Sequence, residues 1–495
     1  MKPESTPHQS SSNKKIATSA LLACALCIAA ASQAFAAFSN VQQSQTGYSN
    51  YFNGNTQLTS GTLTNSGSLT ASFSTLTANT GAIWGWDTYV NGGNPTKSGN
   101  YYYGLGVLAW NPAVSTNGTT TITNNAGATM QGIVTGSGQA FAAGLYSIQA
   151  GGSTSTVDIT VNNSGTMDGQ VLNYDGTAAG CLNLSSAGGG TINNKSGATC
   201  SATAQYYSTG IINQCYGGAA TVVNNGTAKS TSTGSSASTA YSCGVDVYTY
   251  GTNVPAYFNN TGSVTASTTA GTTQKAYGAF IWAQGGTMTF INSGTITASG
   301  LHVEAVYCGS KGGDDSFTNS GTITATAGTG GGWAVGCEND SVGQNFTVTN
   351  SGTMSTNNGY GLYVQGYSTQ VNGQLTITNT STGVITGTLG IGTSHWFGPA
   401  TIDNSGAING PLNTSTSGAT VYMRGTATCT GTIKGNGGTN NLIFSLSGTL
   451  QSVNGVTATN GGNLANYTLG TSGNIVVSGK TYKWSNYTVS GSAAN

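Results

Sequence analysis

Met288-Thr289-Phe290-Ile291-Asn292-Ser293-Gly294-Thr295-Ile296 is the stretch whose reading decides the fold. Its form, apolar-x-apolar-x-Asn-Ser-Gly-Thr-apolar, returns at Ile159–Met167, Phe317–Ile323, Phe346–Met354 and Ile402–Ile408. Looser copies surround Gly67, Gly127, Gly197, Gly226, Gly262 and Gly383. From Gly127 to Gly406 the mean step between these glycines is about 31 residues, a spacing typical of solenoids and repeat arrays. Gly67 to Gly127 is about twice that step, which reads as two repeats with one eroded copy.

Alternate residues of a strand share a face. Met288, Phe290, Asn292 and Ile296 therefore point one way and the intervening Thr residues the other. The same parity holds for Phe346, Val348, Asn350 and Met354. An inward Asn must find partners for its amide. Stacked at the ~4.8 Å spacing of adjacent strands, each can bond the Asn above and below. The expected ladder includes Asn163, Asn292, Asn319, Asn350 and Asn404. The Gly two positions later marks a corner where a Cβ would clash.

A second phrase, Tyr-Gly-apolar-x-apolar, lies between these copies, as at Tyr277–Ile281 and Tyr360–Val364. Each period thus holds two or three short strands bounded by Gly, Asn and Ser turns. No period shows the i, i+3, i+4 apolar spacing of a helix. The expected fold is all-β: a right-handed parallel β-helix of about thirteen coils, roughly 60 Å long at ~4.8 Å per coil. A propeller would need antiparallel blades of ~40–45 residues.

Composition agrees with a hydrogen-bonded solenoid. Charged residues are 5 % of the 495, Gly numbers 77 and Tyr 24, and the formal charge is zero. Disordered chains carry high net charge and few aromatics. Residues 1–36 read as a signal peptide: Lys14 and Lys15, an apolar run from Ile16 to Ala31, and the small-x-small site Ala34-Phe35-Ala36. The chain after it carries 11 acids and 9 bases, with Arg424 its one Arg. That balance weighs against nucleic acid as a partner. Residues 37–110 read as an N-terminal cap and first coils, 111–430 as the repeats, and 431–495 as terminal coils and cap.

The repeated Asn-Ser-Gly-Thr phrase resembles bacterial autotransporter passenger regions and related pectin-lyase-like β-helices. Gly435–Phe444 (GNGGTNNLIF) is similar to the terminal coil of such rods. The resemblance spans roughly residues 40–490 and implies export, an extracellular or outer cell-surface location, and adhesion or structural contact. The implied partners are a carbohydrate or a host or cell-surface protein. One departure is the translocating barrel of many ~10-residue strands. The roughly 65 residues after Thr430 do not accommodate it. The expectation is a separate outer-membrane translocator, or a remnant of an autotransporter without its barrel.

Chemistry has one candidate location. Glu304, Asp314, Asp315, Glu338 and Asp340 are five of the 11 acids and fall within 37 residues. Asp314, Asp315, Glu338 and Asp340 read as a solvated patch with Lys311 paired to Asp340, as a Ca²⁺ site, or as a polysaccharide-cleaving site. The expectation is no enzyme and no cofactor. Seven cysteines follow the signal, and Cys308 and Cys337, 29 apart, read as a disulfide or as unbonded core neighbours. Trp84, Trp86, Tyr101–Tyr103 and Trp110, and His395-Trp396-Phe397 in an inter-coil loop, read as end-capping apolar groups or as ligand-stacking aromatics.

Overall fold

The computed structural model describes residues 61–73, 101–111 and, apart from short connecting stretches, 118–446; after 446 it describes only short strands. Residues 1–36, Trp84 and Trp86, and the side chains of Tyr101–Tyr103 and Trp110, lie outside the described residues.

One period shows how the coil is built. Met288–Asn292 is the first strand, Thr295–Gly300 the second and His302–Ser310 the third. Each pairs in parallel with its counterpart one coil on, as in Phe290↔Phe317, Ile296↔Ile323 and Cys308↔Cys337. Repetition gives three long sheets in which every third strand is a neighbour. Among the described residues this is a right-handed parallel β-helix, all-β, with no helix and no closed barrel. The described strands make thirteen successive parallel turns, from Gly61–Asn65 to Thr439–Leu446 in the first sheet. The three sheets then end in antiparallel pairings, such as Ser472–Val477 with Lys480–Trp484.

One repeat boundary differs from its expected position. Asn65 pairs directly with Asn124. The stretch between Gly67 and Gly127 therefore belongs to one coil of greater length, not to two coils with an eroded copy. Equal spacing of glycines cannot separate a lost repeat from an insertion, because both add the same number of residues.

The core is the stack of inward side chains. Phe258, Phe290, Phe317 and Val348 succeed one another in the first sheet; Val264, Ile296, Ile323 and Met354 do so in the second. Burying each such side chain is worth about 1.5–3 kcal/mol. Corners are bonded as well as strands: Ser293 N donates to Asn260 O at 2.8 Å and Thr295 N to Gly262 O at 2.9 Å. That leaves few open backbone groups along the rod.

The Asn ladder is longer than the five residues read from the clearest repeats. It runs Asn65, Asn124, Asn163, Asn194, Asn224, Asn260, Asn292, Asn319, Asn350, Asn379, Asn404. Each Nδ2 donates to the next Oδ1 at 2.7–2.9 Å. The second Nδ2 hydrogen meets a corner carbonyl, as in Asn163 to Thr199 O at 3.1 Å. The column ends where Met423 replaces Asn, its sulfur 3.7 Å from Asn404 Nδ2.

Candidate functional site

The outer faces of the three sheets differ. In the first two, outward positions are mostly hydroxyl-bearing, as in Thr289, Ser316 and Thr347, or Thr297, Thr324 and Ser355. The third sheet turns aromatic rings outward. Its strands bend at a glycine: Gly278 and Ala279 both meet the core, so Tyr277 and Phe280 both leave it. Tyr248, Trp282 and Tyr307 form a cluster separate from the rod's core, with Tyr250, Tyr277, Phe280 and Trp333 packed on it.

Stacking carries this cluster along the rod. Tyr216 and Tyr250 lie face to face at 3.9 Å, Tyr248 and Phe280 at 6.4 Å, and Phe280 and Tyr307 at 5.4 Å. Trp333 and Tyr363 follow at 4.7 Å, and Tyr363 contacts His395 at 6.0 Å. Small residues make room for the rings: a Cβ on Gly336 would meet Trp333 and Tyr307, and one on Gly392 would enter the Tyr360 ring. From the coil of Tyr216 to that of His395 is six steps, about 29 Å.

Polar groups are set among the rings. Tyr307 Oη donates to Glu338 Oε2, which also accepts from Gln365 Nε2 at 2.9 Å. Tyr363 Oη and His395 Nδ1 are 2.6 Å apart. Tyr248 Oη and Trp282 Nε1 both donate to Gln284 Oε1, at 3.0 and 3.1 Å. Asp246 accepts from Gln214 Nε2 at 3.2 Å through one oxygen, and its other oxygen is buried without a partner. Burial pushes Asp246 and Glu304 up to about 7. Burial, then the neighbouring Asp340 charge, pushes Glu338 up to about 8.

The acidic patch does not converge as a whole: Asp314 and Asp315 lie apart from each other and from Glu338, whose neighbour is Asp340. Asp315 faces inward, taking hydrogen bonds from Met288 N at 2.8 Å, Ser310 Oγ at 2.9 Å and Asn339 Nδ2 at 2.9 Å. It ties two coils together and is pushed up to about 7, burial being the main cause. Asp314, adjacent in sequence, must face the other way; it is exposed and accepts from Asn345 N at 2.8 Å. Glu338 faces outward on the third sheet, opposite in parity to core Cys337. Strand parity thus separates Asp314, Asp315 and Glu338. No group of three or more metal-ligating side chains occurs among the described residues, so these four acids form no common cation site. Asp340 does pair with Lys311, at 3.4 Å.

Cys308 and Cys337 are in register with sulfurs 3.6 Å apart, and both are free thiols in the core. Trp396 is not in an open loop position: it is fully buried and donates Nε1–H to Gly373 O at 3.2 Å, while His395 stays at the surface. Sequence reasoning missed the aromatic face. Its signal was the column Tyr277, Glu304, Trp333, Tyr360, visible only once the third strands are aligned through their bend. Among the described residues no helix is long and apolar enough to cross a membrane. No protein family, curated protein or solved structure matches the chain.

Proposed function

We propose that this protein is an exported rod whose work is contact, and that the outer aromatic face of its third sheet is the contact surface. The supporting observation is the asymmetry of the three faces: two present short hydroxyl side chains, while the third carries an aromatic layer in which Tyr248, Trp282, Tyr307 and Tyr363 are buried and rings such as Trp333 and Tyr360 are partly exposed over them, with carboxamide and imidazole groups alongside. Aromatic faces stack on sugar rings, and the interleaved polar groups can bond hydroxyls. Trp333 and Tyr360 are partly exposed rings that both pack on Tyr363, which in turn contacts His395. We take a carbohydrate of a cell surface or matrix as the leading partner. Export rests on the signal-like residues 1–36, and outer-surface placement on the passenger-like repeats.

The rival reading, cleavage of an acidic polysaccharide, draws on Asp314, Asp315, Glu338 and Asp340. Such cleavage needs paired carboxyls across one bond. With Asp315 inward and Glu338 outward, no observation favours it over contact.

Binding of the purified chain to a panel of immobilised glycans tests the proposal. The double variant Trp333→Ala/Tyr360→Ala should lose about tenfold or more in affinity for any glycan the parent binds, with an unchanged far-ultraviolet spectrum. Parent and variant binding equally, or no glycan retained by the parent, would overturn it.

A further inference from the structure

Lys311 and Asp340 leave the third sheet at the same corner, one coil apart. Lys311 N donates to Ala283 O and Asp340 N to Ser310 O, both at 2.9 Å. Nζ lies 3.4 Å from Oδ2. The Asp340 side chain is only 8 % exposed and that of Lys311 26 %. The other Asp340 oxygen, Oδ1, is buried with no hydrogen-bond donor. Trp282 screens the amine, its ring centre 6.0 Å from Nζ.

A third group completes the arrangement. Glu338 lies two residues before Asp340 in the chain, on the same side, near enough for the Asp340 carboxyl to raise its pKa. Tyr307 and Gln365 hold Glu338 in place. Burial, then the neighbouring Asp340 charge, raises Glu338 to about 8, so Glu338 holds a proton near neutral pH. An amine, a buried carboxyl and a neighbouring proton carrier therefore meet in a site walled by aromatic rings.

We propose that Lys311 and Asp340 condense into an intramolecular isopeptide bond, with Glu338 as the proton shuttle. Nζ attacks Cγ of Asp340, and the Nζ–Cγ bond forms. One Cγ–O bond breaks, and that oxygen leaves as water. Ammonium and carboxylate thus become one amide and one water, so charge and atoms balance without an oxidant or cofactor. The ammonium first passes one proton to the Asp340 carboxylate, which frees the amine to attack. Glu338 then gives its proton to the departing hydroxyl, which leaves as water, and regains one from the nitrogen, which keeps a single hydrogen. The product fastens two coils covalently beside the aromatic face. This inference does not depend on which ligand that face takes.

Intact mass of the full chain after prolonged incubation at neutral pH is the test, followed by chymotryptic mapping. The expected result is a mass about 18 Da below that of the same chain uncondensed, and a branched peptide joining the Lys311 and Asp340 segments. Lys311→Arg and Asp340→Ala should each restore the full mass. Glu338→Gln should slow bond formation by about tenfold or more. The branched peptide from the unsubstituted chain decides the question even where a variant fails to fold. Full mass with no branched peptide would overturn the proposal. So would an 18 Da deficit that survives Lys311→Arg, since that marks a cyclic imide at Asp340. A rate unchanged in Glu338→Gln overturns the assigned role of Glu338.

Discussion

A single inward amide does two jobs in this rod. Asn292 accepts from Asn260 and donates to Asn319, so its loss leaves a donor on one side and an acceptor on the other buried without partners. Each orphaned buried group costs about 1–3 kcal/mol. Asn292→Ala should therefore destabilise the protein by about 2–4 kcal/mol, read as a lowered midpoint of chemical unfolding; a change under about 0.5 kcal/mol would mean the column bears no weight. The buried carboxyls act in the opposite sense to most surface acids. Glu338 is raised to about 8, and Asp246, Glu304 and Asp315 to about 7. Below about pH 4 these groups are protonated whether the chain is folded or not. Between there and about pH 8 only the folded chain keeps its protons, so stability falls as pH rises. Thermal midpoints should be higher at pH 5 than at pH 8.5, and Glu338→Gln should flatten the slope. A profile that rises with pH would contradict this reading. The Asn ladder was legible in the sequence because periodicity repeats it at every corner. The burial of Glu338 was not, since it depends on Tyr307 and Gln365 from two other coils.

At the level of the element, the corner between first and second strands is the fixed part of each coil. Gly294 sits where an added Cβ would lie 2.1 Å from Gly262 O on the preceding coil. Gly127 occupies a corner two residues longer, with open space around it but φ of +76°. The two glycines are thus needed for different reasons, one for close approach and the other for left-handed backbone. Gly294→Ala should force the coils apart and cost about 2–4 kcal/mol, whereas Gly127→Ala should cost only about 1–2 kcal/mol. Equal effects, measured by unfolding midpoints, would refute the distinction. Variation collects on the third strand, which reaches 14 residues at Thr239–Thr252 while most first strands hold to five. The first two strands keep strict alternation, so their facing could be read directly. The third breaks it at Gly278-Ala279, and parity carried through that break assigns Tyr277 to the core when it belongs outside.

The whole molecule is a one-dimensional stack in which each coil bonds only its neighbours. Fold class and coil number were readable because a repeat multiplies a weak local signal by its copies. The coil spanning Asn65 to Asn124 was misread because extra residues within one coil mimic a missing copy. The aromatic face, by contrast, belongs to no one repeat; it arises where different side chains from seven coils come into line. Everything rests on parallel, in-register stacking, and paired-cysteine crosslinking measures that most directly. Thr297 and Thr324 are partners on adjacent coils, and Ser355 is the partner of Thr324 one coil further. Adjacent strands lie about 4.8 Å apart, within disulfide reach, whereas Thr297 and Ser355 are about twice that distance apart. Thr297→Cys/Thr324→Cys should oxidise to a disulfide in nearly every molecule, and Thr297→Cys/Ser355→Cys in almost none. Equal yields from the two pairs, or a bond only in the second, would contradict the β-helix.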